Sequence, residues 1–225
     1  MSRWARRFPA GVLGAVAFGA VTAFPAALGD GLRPSAAISC LTPVCDRAIE
    51  DVVDRVDDHL AVRMMDLGDP GRRDLAKVIV AEAGAAGIDP LLVLAVIEVE
   101  SSYDPSALSH RGARGLMQLL EPTMRQEMAR SGIDYEDPHD PVSNVRAGIR
   151  YLKRLLDAFG REELALMAYN AGPNRILRHI RAGGIPERFH AYPRRVLAEL
   201  RRLRRAAGDP DAPLVAEVLR PARPL

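Results

Sequence analysis

Glu98 and Glu100 are the residues of this 225-residue chain whose surroundings offer carboxyl chemistry a special environment. Seven apolar residues, Leu91 to Ile97, precede them without a break. Asp89-Pro90 opens that stretch as a helix, with an N-cap carboxylate followed by proline at the first helical position. A helix that is apolar all round is buried all round, so this is the expected central helix, and Glu100 projects from its end. Desolvation there disfavours the anion, and the negative end of the helix dipole does the same. A carboxyl kept protonated near neutral pH can donate a proton to a leaving group. Glu98 is the rival, lying about 200° away around the helix, so the two cannot share a face. Spacing does not say which of them faces a cleft. From periodicity alone, a surface glutamate on a frayed helix end is the plainer reading of Glu100.

Other chemistry is weakly signalled. The five histidines (His59, His110, His139, His179 and His190) are scattered, without a His-Glu-x-x-His or Cys-x-x-Cys pattern. No metal site and no cofactor is expected. The chain lacks a Gly-x-Ser-x-Gly elbow and a phosphate-cradling glycine loop. A net charge of +2 gives no case for nucleic-acid binding. Hydrophobic residues at 48% and charged residues at 27% are ordinary globular usage, which excludes long disorder and a multi-span membrane protein.

The elements that must hold Glu98 and Glu100 are helices. Asp46 to Asp66 reads as an acidic amphipathic helix with Ile49, Val52, Val53, Val56 and Leu60 on one face, broken by Asp69-Pro70-Gly71. That helix either packs on the domain or tethers it. A second helix runs from about Arg72 to Ala86, with Leu75, Val78, Ile79 and Glu82 marking its faces, and Gly87 stops it. Asp104-Pro105 closes the central helix. Residues 103–121 are turn-rich, with at most a short hairpin inside 103–118. Pro122 opens a further helix that Gly132 ends, and 137–141 form a rigid connector. Val142, Val145, Ile149, Leu152, Leu155, Leu156 and Phe159 mark an amphipathic helix over 142–159. Shorter helices follow over 162–170 and from Pro173 to Gly183-Gly184. The last helix, 188–206, carries Arg194, Arg195, Arg201, Arg202, Arg204 and Arg205, more simply a solvated face than a binding patch. The fold class is mainly α.

The ends read differently. Arg3, Arg6 and Arg7 precede the uncharged run Phe8 to Gly29, the layout of a secretory signal, with Pro25 and small residues in the cleavage zone. An uncleaved anchor is the alternative, since 22 residues can span a bilayer. Removing this segment takes away three arginines and no acid, moving the formal charge from +2 to −1. The expected organisation is a signal or anchor over 1–29, a linker and acidic helix over 30–70, a catalytic domain over 71–207 and a Pro-rich tail over 208–225. Cys40 and Cys45 suit a small local disulfide in an exported chain.

Several blocks together resemble a known family. Glu100-Ser101-Ser102-Tyr103-Asp104-Pro105, then Ala107, Ser109 and Gly112-Ala113-Arg114-Gly115-Leu116-Met117-Gln118, closely resemble the signature of lytic transglycosylases of the soluble-lytic-transglycosylase (SLT) catalytic-domain type, relatives of goose-type lysozyme. Asn144, Gly148, Tyr151 and Leu152 resemble that family's Asn-x-x-x-Gly-x-x-Tyr-Leu helix. Ala168 to Pro173 resembles its third motif, and Gly183-Gly184-Ile185-Pro186 with Tyr192 its closing segment. One departure is local: the family's proline three residues after the motif glutamine is Glu121 here, with Pro122 next.

The resemblance implies a lysozyme-like domain whose single acid/base is Glu100. It implies cleavage of the bond between N-acetylmuramic acid and N-acetylglucosamine in peptidoglycan, closing a 1,6-anhydro sugar with no metal or cofactor. By the same carry-over Gln118, Tyr169 and Asn170 line the cleft, with Tyr169 near the Glu100 carboxyl. Ser109 bonds an N-acetyl group, and Met117 and Leu120 form apolar walls. Tyr103, Tyr169 and Tyr192 supply sugar stacking, because the mature chain has no tryptophan. Ser101 reads equally as a helix-end hydrogen-bonder, and Asn144 as a helix stabiliser. A goose-lysozyme-like hydrolase would need a second carboxylate, for which Asp104, Glu121 and Glu187 are candidates, and a non-enzymatic wall-binding module is the third reading. The implied partners are peptidoglycan glycan strands, with other cell-wall proteins as further candidates, no nucleic acid, and a membrane only if residues 1–29 stay attached. The implied location is the bacterial periplasm or cell envelope.

Overall fold

The structure, a computed structural model, describes residues 43–132, 137 and 140–208, with Pro43, Val44 and Cys45 in backbone only. The expected signal, most of the linker, the Cys40–Cys45 disulfide, two residues of the 137–141 connector and nearly all of the Pro-rich tail lie outside the described residues.

Eight α-helices and one minimal hairpin make up the described chain: α1 Pro43–Arg63, α2 Asp69–Ala86, α3 Pro90–Ser101, β1 Ala113–Arg114, β2 Leu119–Leu120, α4 Glu121–Arg130, α5 Pro141–Phe159, α6 Glu162–Ala171, α7 Pro173–Arg181 and α8 Ala191–Ala206. All belong to one compact unit. Short 3-10 turns follow α1 at Met65–Leu67 and precede α8 at Glu187–Phe189.

The central helix is α3. All residues from Pro90 to Ile97 are buried, which needs neighbours on every side. The carboxyl of Asp89 accepts from the Leu91 N–H at 2.9 Å and also holds the Arg204 guanidinium of α8 at 2.9 Å. One residue therefore caps α3 and ties α8 along it. At the other end Ser102 and Tyr103 both take left-handed backbone, with φ of 53° and 66°. Non-glycine residues enter that region rarely, and two in succession stop the helix abruptly one residue after Ser101.

Two boundaries differ from the sequence expectation. Asp69-Pro70-Gly71 does not break the first helix but starts the second, with Pro70 in its first turn, where the missing N–H costs nothing. The break falls earlier, after Arg63, where Met64 turns into the core and Gly68 adopts φ 70°. The hairpin pairs Ala113 with Leu120 and Arg114 with Leu119, so it extends past the expected 103–118 window.

Helix α1 is not a free tether. Val52, Val53, Val56 and Leu60 are buried in the same core as α2 and α3. Its acids face α2, where Arg72 meets Asp57 at 2.7 Å and Arg73 meets Asp54 at 2.8 Å. Leu60 is wholly buried, so Leu60→Ala is expected to cost about 2–5 kcal/mol of stability. Urea denaturation measures this, and a near-zero change would mean that α1 does not share the core.

Candidate active site

Glu100 sits in the last turn of α3, only partly exposed. Its carboxyl is surrounded by protein, and burial pushes its pKa up to about 7, against the lowering effects of a Tyr192 hydrogen bond and the Arg195 charge. The Tyr192 hydroxyl donates to Glu100 Oε1 at 2.6 Å. Tyr192 is itself buried in the first turn of α8, and burial together with the neighbouring carboxyl charge drives its pKa well above that of free tyrosine. It therefore stays a donor. Arg195, one turn along α8, reaches the Val99 carbonyl at 3.4 Å.

Glu98 takes the opposite role. It forms an ion pair with Arg63 at the end of α1. The two glutamates that spacing could not separate are thus sorted by their partners, a cation for one and a phenol for the other.

The other motif residues build the turn between β1 and β2. Asn144 of α5 is completely buried. Its Oδ1 accepts from the Met117 N–H at 2.8 Å, and its Nδ2 donates to the Arg114 carbonyl at 2.9 Å. Tyr169 of α6 donates to the Met117 carbonyl at 2.8 Å. Ser101 donates to the Leu116 carbonyl at 2.9 Å and, along its own helix, to Ile97 at 3.2 Å. Gln118, at φ 46°, turns its amide back onto the carbonyls of Ala107 and Gly115, both at 3.0 Å. Three helices therefore grip one four-residue turn.

Two glycines allow this approach. A Cβ on Gly115 would stand 2.5 Å from Asn144 Nδ2, and one on Gly148 would stand 2.8 Å from Met117 Cβ. Asn144 and Gly148 lie one helical turn apart on α5, so the first pins the turn while the second leaves room for Met117.

The structure does not bring all the expected site residues together. Glu100 and Tyr192 meet directly. Tyr169 is close enough for the Glu100 charge to raise its pKa, which burial raises most. Its hydroxyl serves the Met117 carbonyl, not the carboxyl, and its ring packs 5.2 Å from that of Tyr151. Met117 is wholly buried and Gln118 half-buried. Leu120 and Asn170 are exposed at the end of β2 and on the last turn of α6. Ser109 Oγ accepts from Ala113 N at 3.0 Å, closing its own loop.

Tyr103 departs from the expectation of a sugar-stacking ring. It is 3% exposed, donates to the Leu94 carbonyl at 3.0 Å and meets His59 Nε2 at 2.8 Å. Its left-handed backbone turns the ring inward, between α3 and α1. Sequence reasoning also missed Glu127, buried on α4 and held by Arg130 at 3.1 Å and by Arg154 of α5. Its surrounding α4 pattern is polar and carries no signal of burial.

None of the candidate second carboxylates contributes to the Glu100 shift. Asp104 accepts from Ser106 at 2.6 Å, Glu121 pairs with Arg125 at 2.7 Å and Glu187 pairs with Arg194 at 2.5 Å.

A helical domain with a desolvated carboxyl at the end of its central helix, set beside a short stapled hairpin, has a lysozyme-like architecture. Its known likenesses agree. Residues 77–190 match the transglycosylase SLT domain, and the chain belongs to that family. A segment of 49 residues is 45% identical to membrane-bound lytic murein transglycosylase C of Actinobacillus pleuropneumoniae, covering 21% of this chain and 13% of that protein. The same enzyme of Klebsiella pneumoniae is 42% identical over 45 residues, covering 20% of this chain and 12% of that protein. Among solved structures, lytic transglycosylase Slt of Pseudomonas aeruginosa, as an inactive mutant, superposes with a TM-score of 0.54 at 19% identity, over 82% of this chain and 40% of that one. The 70 kDa soluble lytic transglycosylase SLT70 of Escherichia coli gives 0.54 at 24% identity, over 79% and 31%. At these identities the structures show the fold, and this chain matches well under half the length of each relative.

Two measurements test the carboxyl's environment. Removing the Tyr192 hydroxyl removes a bond that favours the anion, so Tyr192→Phe should raise the Glu100 pKa above about 7, read by NMR of a carboxyl-labelled glutamate. The second is stability. A carboxyl whose folded pKa is raised holds its proton more tightly folded than unfolded, so its contribution is lost as pH climbs from about 4.5 to about 7. Glu100→Gln should therefore be more stable than the parent at pH 8, by up to about 3 kcal/mol, relative to the difference at pH 4. Denaturation at the two pH values checks the sign.

Proposed function

We propose that the protein is a peptidoglycan lytic transglycosylase in which Glu100 serves first as general acid and then as general base. One observation carries this reading: Glu100 is a buried carboxyl poised near neutrality, bonded to a phenol and perturbed by no second carboxylate.

The Tyr192 bond occupies Oε1 and leaves Oε2 to carry the transferable proton. That proton passes to the glycosidic oxygen as the bond from the muramoyl anomeric carbon breaks. The resulting carboxylate then accepts the proton of the muramoyl C6 hydroxyl, and that oxygen closes onto the anomeric carbon. A 1,6-anhydro end forms, Glu100 regains its proton and no water is consumed. One group serves both steps because the base left by the first is what the second needs, and the intramolecular attack carries a high effective concentration. A hydrolase of the goose-lysozyme kind would need another carboxylate to place water. The ties of Asp104, Glu121 and Glu187 to their own neighbours speak against that reading.

The stapled turn is the cleft wall in this reading, with Gln118, Asn170 and Leu120 at its substrate side, Met117 backing it and Ser109 toward an N-acetyl group. Tyr103 is assigned no substrate contact. The basic, then apolar N-terminal segment supports export to the cell envelope, cleaved or anchored, and the membrane-bound relatives favour the same compartment.

Digestion of purified sacculi is expected to release muropeptides lighter by one water than hydrolytic products, as mass spectrometry would read. Glu100→Gln should keep glycan binding and lose turnover by at least about a thousandfold, well within what general acid–base catalysis contributes to a single step, and both steps use the same group. Reducing ends of full mass would establish the hydrolase instead.

A further inference from the structure

The turn of α3 that carries Glu100 ends on two residues in an uncommon conformation. Ser102 and Tyr103 hold left-handed backbone, at φ 53° and 66°, although neither is glycine. Such residues persist only where their surroundings over-determine them. Ser102 is exposed, and its hydroxyl reaches only the Glu98 carbonyl, at 3.5 Å. The restraint therefore comes through Tyr103. Its hydroxyl donates to the Leu94 carbonyl of α3 at 3.0 Å. His59 Nε2 of α1 meets the same hydroxyl at 2.8 Å, and the Arg63 guanidinium of α1 stands 5.1 Å over the ring centre. Arg63 also pairs with Glu98. One turn of α1, from His59 to Arg63, thus grips the chain two residues before Glu100 and three residues after it. Helix α1 ends before residue 77, where the family match begins, so these contacts come from outside the matched domain.

We propose that His59 and Arg63 are positioning residues for Glu100: by locking Tyr103 in its left-handed conformation they keep the last turn of α3 closed and the carboxyl out of water. Their bearing on catalysis rests on the reading of Glu100 as the acid and base. Without the α1 contacts Tyr103 keeps one hydrogen bond, and Ser102 and Tyr103 relax toward ordinary backbone. The Ser102 N–H bond to the Glu98 carbonyl, at 3.1 Å, is the last of the helix and opens first. Glu100 belongs to the same turn, as does Ser101, which holds the Leu116 carbonyl of the stapled turn. Water then reaches the carboxyl, and its pKa falls from about 7 toward the ordinary 4.5. That direction is opposite to the one expected for Tyr192→Phe.

Wild type, Arg63→Gln, Arg63→Lys and the double variant His59→Ala with Arg63→Gln are compared in the full chain. Arg63→Gln and the double variant are also made with Ser102→Gly, since glycine enters the left-handed region without steric cost. In the double variant the Glu100 pKa, read by NMR of carboxyl-labelled glutamate, should fall by about one unit. Exchange of the Ser102 amide should quicken about tenfold. At pH 7 the protonated fraction would drop from about a half to about a tenth, so kcat on sacculi should fall about fivefold with KM little changed. Arg63→Gln should show part of each effect, Arg63→Lys should recover most of it, and Ser102→Gly should restore much of the loss.

A Glu100 pKa that stays at about 7 with unchanged Ser102 exchange, while only global stability drops, would overturn the proposal and leave the α1 contacts as packing. A shift that Ser102→Gly does not reverse would overturn it too. Should the double variant not fold, Arg63→Gln with and without Ser102→Gly decides by the same readouts. The pKa and exchange measurements need no turnover. An inactive wild type would therefore defeat the reading of Glu100 while the grip of α1 on the α3 terminus is still judged.

Discussion

Taking the Glu100 carboxyl out of water is the constraint on which the site depends. Burial alone would push its pKa higher still and make it a poorer proton donor. Two groups from α8, the Tyr192 hydroxyl and the Arg195 charge, pull it back to about 7. The position of α8 is therefore as much a part of the chemistry as the glutamate. That position is fixed partly by apolar packing of Val196, Leu200 and Leu203 and partly by Arg204, which holds the capping carboxylate of α3. The cap that starts the acid-bearing helix also registers the helix that tunes the acid.

A second constraint follows from the size of the hairpin. Two residues per strand cannot support a stable sheet by themselves, yet the backbone of Arg114, Leu116 and Met117 lies in or near the core. Buried polar groups need partners, and these come from Ser101, Asn144 and Tyr169, on three different helices. The turn is thereby a product of the whole fold, and any shift of α3, α5 or α6 would be felt at Gln118. Gly115 and Gly148 make the arrangement possible by what they lack, since side chains there would meet Asn144 and Met117.

Much of this was legible in the sequence, for reasons that differ by residue. The uninterrupted run Leu91–Ile97 required a helix buried on all sides, and Asp89-Pro90 located its start. The periodicity of α5 located its buried face. What could not be read was which distant atoms would meet. Asn144 looks like a residue for its own helix, because nothing local reveals a backbone amide 27 residues away in sequence. Tyr103 looked like a stacking ring because aromatic side chains suit sugars, but two successive left-handed residues turned it into the core. Pro70 reads as a breaker in the sequence because proline ends helices more visibly than it begins them. Tyr169 and Tyr192 were both in recognised blocks, and only the packing of α8 decided which hydroxyl would reach Glu100.

Glu98 and Glu100 differ in their partners as well as in their burial. Both stand at the end of the same helix, two residues apart. Glu98 meets the Arg63 guanidinium in an ion pair. Three other buried or half-buried acids also meet guanidinium groups: Glu82 lies against Arg150, Glu127 against Arg130 and Arg154, and Asp89 against Arg204. Glu100 instead bonds a neutral phenol whose own ionisation is suppressed by burial and by the carboxyl beside it. A donor of that kind stabilises the anion modestly without committing the group to it. Replacing the phenol by a cation would convert the proposed acid into one more ion pair, and the neutral aromatic residue at the start of α8 is what sets Glu100 apart from the acids that meet arginines.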